Sequence, residues 1–382
     1  MLPDKYNCCG CTACANICKF NAIKMKEDKE GFLYPEIDNK KCVNCRTCEK
    51  ICPMINRKNR TKEIKNIYAS YIDDNEKLFK SASGGIATAI SEYFIKNGGI
   101  VFGVEYTHDF KKALYTKIDH ISDLDRIKGS KYIQSDKKSI YCEAKKELEN
   151  GKNVLFIGLP CEVAGLKNFL IKNYENLYTV ALICMGPTSP KVGEQYIEYL
   201  EKKIKSKIES FNLRYKGNGW GAPNYVKAVF QNGKELIKPF NETQYGHAFS
   251  IFSRPSCLHC NFKLDNTFAD MTIGDYWGVS KKEKIYNGQG VSIMIIHNEK
   301  MNNIIEKLDN IVKEKIKYEN AIKNNEMLVV SRHNEEKRRK KYSKNFINKG
   351  LIYADRKDIQ IKAVLKKFIP KKFLKIIKNR RK

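Results

Sequence analysis

The first 52 residues carry one cysteine pattern twice, and this repeat limits the possible folds more than any other feature. Each copy has the spacing CxxCxxCxxxC. The first run is Cys8, Cys11, Cys14 and Cys18, and the second run is Cys42, Cys45, Cys48 and Cys52. Residues 1–56 contain too little apolar material for a core of their own, so bonds from the thiolates to a metal group must hold this unit together.

This doubled run matches the ligand pattern of bacterial two-cluster ferredoxins, in which the fourth cysteine of each run binds the other cluster. The pattern predicts one 4Fe-4S cluster on Cys8, Cys11, Cys14 and Cys52, and a second on Cys42, Cys45, Cys48 and Cys18. Zinc is the alternative, although a tetrahedral zinc ion rarely takes three successive cysteines at this spacing. Cys9 falls outside the register and is predicted to be a spare thiol.

Composition agrees with a cytoplasmic, multidomain protein. The chain has 382 residues, of which 42% are hydrophobic and 30% charged, enough for two or three domains. It begins without an apolar signal segment, and no apolar run approaches the ~18 residues of a membrane span. In the cytoplasm disulfides are rare, so the fourteen cysteines point to metal or redox chemistry.

Changes in pattern along the chain predict four parts. These are a ferredoxin-type unit at 1–56, a polar linker at 57–65, an α/β domain at 66–330 divided near residue 150, and a basic tail at 331–382. Strands are expected at 66–72, 99–106, 153–159, 178–184 and 291–297, and two short strands within 22–37. Helices are expected at 85–96, 139–150, 162–173 and 190–205, and an antiparallel hairpin within 211–240.

Four further cysteines are candidates for a third site. Cys161 and Cys184 follow predicted strands, in the segments GLPC and LICMG, and Cys257 and Cys260 form a CxxC pair. Strand ends converge in α/β sheets, so these thiols can hold a third 4Fe-4S cluster or a zinc ion, or they are ordinary buried thiols. Cys142, on a predicted helix, has no motif and is expected to be structural.

Two segments suggest a site for a phosphate-containing cofactor. Ser83, Gly84 and Gly85 stand directly before a predicted helix, where backbone amides can bind an anion. The alternative is a helix cap without a ligand. The segment GSKYIQS adds hydroxyls, a lysine and a tyrosine, and the segment DYWG places aromatic rings beside glycines.

Taken in order, these motifs resemble the coenzyme F-420 hydrogenase/dehydrogenase beta-subunit family, from Cys8 to about Val330. The motifs are the doubled run, SASGG, GSKYIQS, GLPC, LICMG with TSP, RPSCLHC and DMTIGDYWG. The resemblance implies an α+β two-cluster ferredoxin domain joined to an α/β flavoprotein domain, followed here by a basic helical tail. It also implies a third cluster on Cys161, Cys184, Cys257 and Cys260. The residues predicted to bind FAD are Ser83, Gly84, Gly85, Gly129, Ser130, Lys131, Tyr132, Gly158 and Pro160.

The function implied is that of an iron-sulfur flavoprotein oxidoreductase, which passes electrons between clusters and a substrate through FAD, with a deazaflavin as the family's substrate. Bacterial relatives also suggest cell-surface polysaccharide metabolism. The alternatives are a non-catalytic ferredoxin-like subunit and a zinc module that binds nucleic acid. The expected partner is a ferredoxin-like or hydrogenase-type subunit. No side chain is assigned as a catalytic acid or base. Met185 and Leu159 replace the polar residues that the resemblance leads us to expect beside Cys184 and Cys161.

The basic tail accounts for most of the net charge of +28, because residues 337–382 hold 19 basic and 2 acidic side chains. Ile361, Val364, Leu365 and Phe368 follow a helical period, which is repeated after Pro370. Such a basic amphipathic helix suits an anionic membrane surface or a partner subunit. The sequence therefore predicts a cytoplasmic protein with peripheral membrane contact, and it argues against nucleic acid as the partner.

Overall fold

The computed structural model describes residues 2–56, 63–221, 223–331 and 336–368, except for the side chains of residues 265 and 360–368. The strands are β1 (Ile23–Glu27), β2 (Leu33–Ile37), β3 (Asn66–Ile72), β4 (Ile100–Tyr106), β5 (Ala113–Ile118), β6 (Val154–Gly158), β7 (Leu177–Leu182), β8 (Ile208–Tyr215), β9 (Tyr225–Phe230), β10 (Glu235–Pro239), β11 (Met271–Asp275), β12 (Ser292–Ile296) and β13 (Ile311–Lys315).

The α-helices are α1 (Ala13–Ile17), α2 (Thr47–Lys50), α3 (Asn75–Lys80), α4 (Ile86–Lys96), α5 (Leu124–Ile127), α6 (Ile140–Glu149), α7 (Pro160–Leu170), α8 (Pro190–Ile204), α9 (Gln244–Ile251), α10 (Glu299–Glu306), α11 (Tyr318–Ile322) and α12 (Glu336–Phe368). The predicted helices correspond to α4, α6, α7 and α8, and the predicted strands correspond to β1–β4, β6, β7 and β12. The structure confirms these predictions. They could be made from the sequence because each segment has a clear helical or strand period.

A mixed sheet of eight strands forms the body, in the order β13-β3-β12-β11-β7-β6-β4-β5. The four central strands β11, β7, β6 and β4 are parallel, and antiparallel strands flank them on both sides. Every residue of β6 and β12 is buried, as expected for strands covered on both faces. The sheet combines strands from both sides of residue 150, because β4 pairs with β6 and β3 pairs with β12.

A second, antiparallel sheet lies at residues 208–239, where the sequence suggested one hairpin. It has three strands in the order β10-β9-β8. The turn at 232–235 joins β9 and β10 as predicted, and β8 adds a strand on the other side of β9. Strands β5, β11 and β13 were not predicted from the sequence.

The ferredoxin-type unit docks on the body through buried polar contacts. Arg254 is 1% exposed and donates from Nε to the carbonyl oxygen of Cys8 at 2.8 Å and from Nη2 to that of Leu33 at 2.7 Å. Its guanidinium also lies 3.9 Å from the ring centroid of Tyr34 and donates to the side chain of Gln134. One side chain of the body therefore fixes both the first cysteine loop and strand β2.

The amino-terminal half of the predicted tail is part of this docking and is not a free extension. Tyr342, Phe346, Leu351 and Ala354 are buried in a core shared with Phe32 and β8–β9. The Arg339 guanidinium forms an ion pair with Glu30 of the ferredoxin-type unit and donates to the carbonyl oxygen of Ser253. The helical chain breaks at Gly350, where φ is +76°. The amphipathic pattern predicted from Ile361 onward lies outside the described side chains.

Replacing Arg254 with leucine is expected to lower the free energy of unfolding by ~3 kcal/mol, because two buried carbonyl oxygens lose a charged donor. Arg126 provides the matched control: it pairs with Glu105 at the surface, and Arg126→Leu should cost less than ~1 kcal/mol. Urea unfolding of both variants measures the difference. Equal effects of the two substitutions would contradict this role of Arg254.

Candidate functional site

The carboxyl edge of the parallel strands carries a pocket lined by thiols. Strands β6 and β7 are parallel neighbours, so the residues that follow them lie at the same edge. Cys161 is in the first turn of α7, after β6, and Cys184 follows β7. A 3-10 turn at Pro255–His259 brings in Cys257 and Cys260. These four thiols line one pocket together with Cys9, and we call this site the thiol pocket.

A glycine allows the chain segments that carry Cys184 and Cys257 to approach each other. Gly186 has φ of +95°, and a Cβ atom at this residue would lie 2.9 Å from the Cβ atom of Cys257. Any other residue here would be strained and would push the chain after β7 away from the CxxC turn. The chain segments that carry Cys184 and Cys257 are thus held in direct contact.

Burial and hydrogen bonding favour the protonated form of four thiols in the pocket, those of Cys161, Cys184, Cys257 and Cys260. Burial raises the pKa of Cys184 to about 11 and also raises the pKa of Cys257 and of Cys260. The pKa of Cys161 is raised by its hydrogen bond with Cys9 and by burial. Only the thiolate binds a metal, so metal binding here must displace protons.

Cationic groups surround the thiols and outnumber the anionic ones. Arg254, Lys137 and Lys263 line the pocket with a single carboxylate, Glu162. Lys137 Nζ lies 2.7 Å from the Glu162 carboxylate, and both side chains are buried, which leaves Arg254 and Lys263 uncompensated. A 4Fe-4S cluster with four thiolates carries net negative charge, so the residues of the thiol pocket fit this group in both ligand type and charge.

Backbone amides donate hydrogen bonds to the sulfur atoms. The amide of Gly186 lies 3.2 Å from the Sγ atom of Cys184, and the amide of Phe262 lies 3.4 Å from that of Cys260. Met185 and Leu159 stand where the resemblance leads us to expect polar residues beside Cys184 and Cys161. At Cys184 the backbone amide of Gly186 supplies a donor that no side-chain pattern reveals.

The structure brings the first cysteine run together with the last cysteine of the second. Cys8, Cys11, Cys14 and Cys52 are each 7–8% exposed. The charge of Cys52 contributes to the raised pKa of both Cys11 and Cys14, which shows that the three thiols are close to one another. This placement agrees with the ligand set predicted for the first 4Fe-4S cluster.

The second run lies at the surface. Cys45 is exposed, and Cys18, Cys42 and Cys48 are half-buried. Helix α1, which leads into Cys18, packs on α2, which contains Cys48. Thr47 donates a hydrogen bond to the sulfur of Cys45 at 3.4 Å. That Cys18 completes the second ligand set stays a prediction.

Within residues 2–56, 63–221, 223–331 and 336–368, no three His, Cys, Asp or Glu side chains converge closely enough to hold a single metal ion. A 4Fe-4S cube places its own iron and sulfide atoms between its four thiolates. It therefore requires thiols that are farther apart than those around one zinc ion.

Several of the residues predicted to bind FAD have polar groups that are engaged within the protein. The Ser83 hydroxyl donates to the carbonyl oxygen of Val291, and the Gly84 amide donates to the Ser292 hydroxyl. A Cβ atom at Gly84 would lie 2.4 Å from the carbonyl oxygen of Ser70, so this glycine serves close packing on the sheet. The predicted phosphate loop therefore uses its polar groups within the protein.

Other predicted FAD residues are also engaged internally. Lys131 is buried, and its Nζ atom donates to the carbonyl oxygens of Arg126, Lys128 and Gly129. Burial lowers its pKa to about 7. Gly158 packs against the Tyr115 hydroxyl, and Pro160 lines the thiol pocket. Ser130 is half-buried. Binding of FAD by this set of residues stays a prediction.

The segments GSKYIQS and DYWG nevertheless meet around a buried ion pair that the sequence did not reveal. Arg214 on β8 donates two hydrogen bonds to the Asp275 carboxylate, at 2.8 and 2.9 Å, and one to the Tyr132 hydroxyl. The indole rings of Trp220 and Trp277 stack beside it, with centroids 5.4 Å apart. Arg214 was missed because it lies in a strand of ordinary composition, and only the fold brings β8 to the end of β11.

Two further residues near the cysteine sites, His259 and Cys142, have structural contacts. His259, between the two cysteines of the CxxC pair, stacks on Tyr6 of the ferredoxin-type unit with ring centroids 4.2 Å apart. The exposed thiol of Cys142 donates to the carbonyl oxygen of Asn16 at 3.6 Å. Both contacts join the body to the amino-terminal unit.

Two parts of the chain match known domain families. Residues 7–55 match the 4Fe-4S dicluster domain. Residues 151–324 match the family described as the C terminus of the coenzyme F420 hydrogenase/dehydrogenase beta subunit. The chain joins these two domains. The matches confirm the predicted 4Fe-4S ferredoxin-type domain and the resemblance to the beta-subunit family.

Two individual proteins align with the chain at low identity. The coenzyme F420-dependent sulfite reductase of Methanocaldococcus jannaschii is 22% identical over 279 residues, which are 72% of this chain and 43% of that protein. This chain thus spans less than half of that relative's length. A chain of the F420-reducing NiFe hydrogenase complex from Methanosarcina barkeri aligns with 18% identity and a TM-score of 0.49, over 76% of this chain and 96% of that chain.

Every helix in the described part of the chain is too short or too polar to cross a lipid bilayer.

Iron analysis tests the thiol pocket directly. Protein purified without oxygen should contain about 12 iron atoms and as many acid-labile sulfides, and Cys257→Ser should remove about four of each. Cys142→Ser is the control and should keep the full content, because that thiol belongs to no ligand set. A wild-type content of about eight iron atoms, unchanged in Cys257→Ser, would contradict a third cluster.

Proposed function

We propose that this protein is an iron-sulfur redox protein that carries electrons from its surface into the sheet domain. The ligand sets are those predicted from the sequence: Cys8, Cys11, Cys14 and Cys52; Cys42, Cys45, Cys48 and Cys18; and Cys161, Cys184, Cys257 and Cys260. The observation that carries the proposal is the thiol pocket. Its cysteines come from distant segments of the chain and meet beside Cys9 of the amino-terminal unit.

The three sites differ in exposure in a way that suits a relay. The second run is at the surface, the first run is buried, and the thiol pocket lies beyond it at the edge of the sheet. Bound 4Fe-4S clusters supply one-electron transfer. The chain holds the clusters in order through α1, which packs on α7 as well as on α2. Electrons are thus expected to enter near Cys45 and to leave through the thiol pocket.

The surface around Cys45 suits an acidic protein as the electron donor. Phe20 and Val43 are 49% and 56% exposed in this region. The exposed basic side chains of the same segments are Lys19, Lys24, Lys40, Lys41, Arg46 and Lys50. Electron-transfer partners form small, weak interfaces, and opposite charges speed their encounter. We therefore propose a small acidic ferredoxin-like carrier as the partner, in place of the membrane surface suggested by the tail.

Reduction kinetics test this interface. The rate of reduction by a reduced, acidic two-cluster ferredoxin should fall steeply between low and physiological salt. The double variant Lys40→Glu/Lys41→Glu should lower the rate at low salt by on the order of tenfold, because it reverses the local field.

The matched control is Lys202→Glu/Lys203→Glu on α8, which makes the same change of net charge away from the cysteine runs. It should leave the rate nearly unchanged. If both double variants slow reduction equally, the partner responds to the net charge alone, and the docking surface near Cys45 is wrong.

A finer proposal, implied by the resemblance, is that electrons then reach FAD and a deazaflavin substrate. The stacked rings of Trp220 and Trp277 beside Arg214 are the feature that supports a planar aromatic ligand. Cofactor release with acid, followed by chromatography, should give about one FAD per chain, and the reduced protein should then reduce coenzyme F420. Intact clusters without FAD would favour the alternative of a non-catalytic electron-transfer subunit. A role in cell-surface polysaccharide metabolism stays a prediction.

A further inference from the structure

One buried cation, the guanidinium of Arg254, lies against both the first cysteine run and the thiol pocket. It donates from Nη2 to the Cys8 sulfur, with 4.0 Å between the two atoms, and from Nε to the Cys8 carbonyl oxygen at 2.8 Å. The same side chain lines the thiol pocket. Arg254 also begins the 3-10 turn that carries Cys257, because its carbonyl oxygen accepts a hydrogen bond from the Cys257 amide at 3.0 Å.

Cys8 and Cys257 belong to different predicted ligand sets, and the chain joins their surroundings a second time. The Ser256 hydroxyl donates to the Cys8 carbonyl oxygen at 3.0 Å. Both Arg254 and Ser256 therefore hold the first cysteine loop against the turn that precedes Cys257. The charge of Arg254 lies at this contact.

The remaining contacts of Arg254 fix its charge in place without neutralising it. Nη1 donates to the side-chain oxygen of Gln134 at 3.1 Å, Nη2 donates to the carbonyl oxygen of Leu33 at 2.7 Å, and the guanidinium lies over the ring of Tyr34. Within the described part of the chain, these partners include no carboxylate. A buried charge of this kind is screened little by water or salt, so it acts strongly on groups nearby.

Lys263, the other uncompensated cation of the thiol pocket, has contacts on one side only. Its Nζ atom donates to the carbonyl oxygen of Cys184 at 3.2 Å and to that of Met327 at 2.7 Å. Both acceptors line the thiol pocket, and neither belongs to the amino-terminal unit. Arg254 and Lys263 thus differ in which cysteine sites they face.

Building on the proposed function, we propose that the positive charge of Arg254 raises the reduction potentials of two clusters together, the first-run cluster on the set containing Cys8 and the cluster in the thiol pocket. Each one-electron reduction adds one negative charge to a cluster, and a fixed cation beside it stabilises the reduced form. Arg254 is not a ligand, and no bond forms or breaks at it. Because one cation acts on both clusters, the two potentials shift in the same direction, whereas Lys263 acts on the thiol pocket alone.

Redox titration monitored by electron paramagnetic resonance tests this role in the full-length, cluster-loaded protein. Arg254→Gln removes the charge and should lower the equilibrium constant for reduction of both clusters by about tenfold, which is ~59 mV for a one-electron couple. Arg254→Lys loses the planar fork of donors but keeps the charge, so it should restore most of both potentials. Lys263→Gln should lower the potential of the thiol-pocket cluster and leave that of the first-run cluster unchanged.

The matched control is Arg126→Gln, the same substitution in a surface ion pair with Glu105, which should change neither potential. Three results would overturn the inference. Both potentials may be unchanged in Arg254→Gln with full iron content, only one of them may shift, or Arg254→Lys may shift both as far as Arg254→Gln does. The last result would show that the shape of the side chain matters and its charge does not.

A second measurement applies even if Arg254→Gln fails to bind its clusters. In wild-type protein labelled with ¹⁵N-arginine, pulsed electron paramagnetic resonance should detect ¹⁵N coupling at both reduced clusters, and Arg254→Lys should remove it from both. Lack of this coupling at either cluster in the wild type contradicts a shared cation. Absence of iron from the thiol pocket of the wild type is a different result, because it contradicts the proposed function itself.

Discussion

The close docking of the first cysteine loop on the carboxyl edge of the parallel sheet is the constraint on which the site depends. The loop is too short and too polar to hold its position by apolar burial. Arg254 supplies what is missing, because its buried guanidinium donates to main-chain oxygens of both the loop and β2. Cys11 then rests on the glycine face of α7, and the thiols of two domains share one buried region.

Several cysteines that bind a cluster as thiolates in one buried region need positive charge nearby. Buried anions are costly unless cations or hydrogen-bond donors accompany them. At the thiol pocket Arg254 and Lys263 fulfil this need, and the Lys137–Glu162 pair contributes polar contacts without net charge. Lys263 is held in place by the carbonyl oxygens of Cys184 and Met327. Arg254 and Lys263 thus place positive charge in the interior. The lysines around Cys45 lie at the surface.

The composition of the carboxyl-terminal basic segment predicts a free extension, whereas its first part packs on the rest of the protein. The run KRRKK predicts a solvated or membrane-binding tail. Arg339 in this run is nevertheless only 5% exposed, and it forms an ion pair with Glu30 across the domain junction. Arg338 pairs with Asp358 farther along the same chain segment. A charged side chain can be buried when its partner is supplied by a distant segment, and that partner is invisible in a local pattern.

By itself the sequence determined the local chemistry: the ligand spacing of Cys8 to Cys52, the strands and helices with clear periods, the two cysteines that follow strand ends, and the CxxC pair. These features depend on neighbours within about ten residues. The tertiary structure alone decided the role of residues that act across long separations in the chain, including Arg254 and Arg214. It also gave the Gly84 amide a partner within the protein, because a glycine before a helix looks the same in sequence whether its amide meets a phosphate or a serine of another strand.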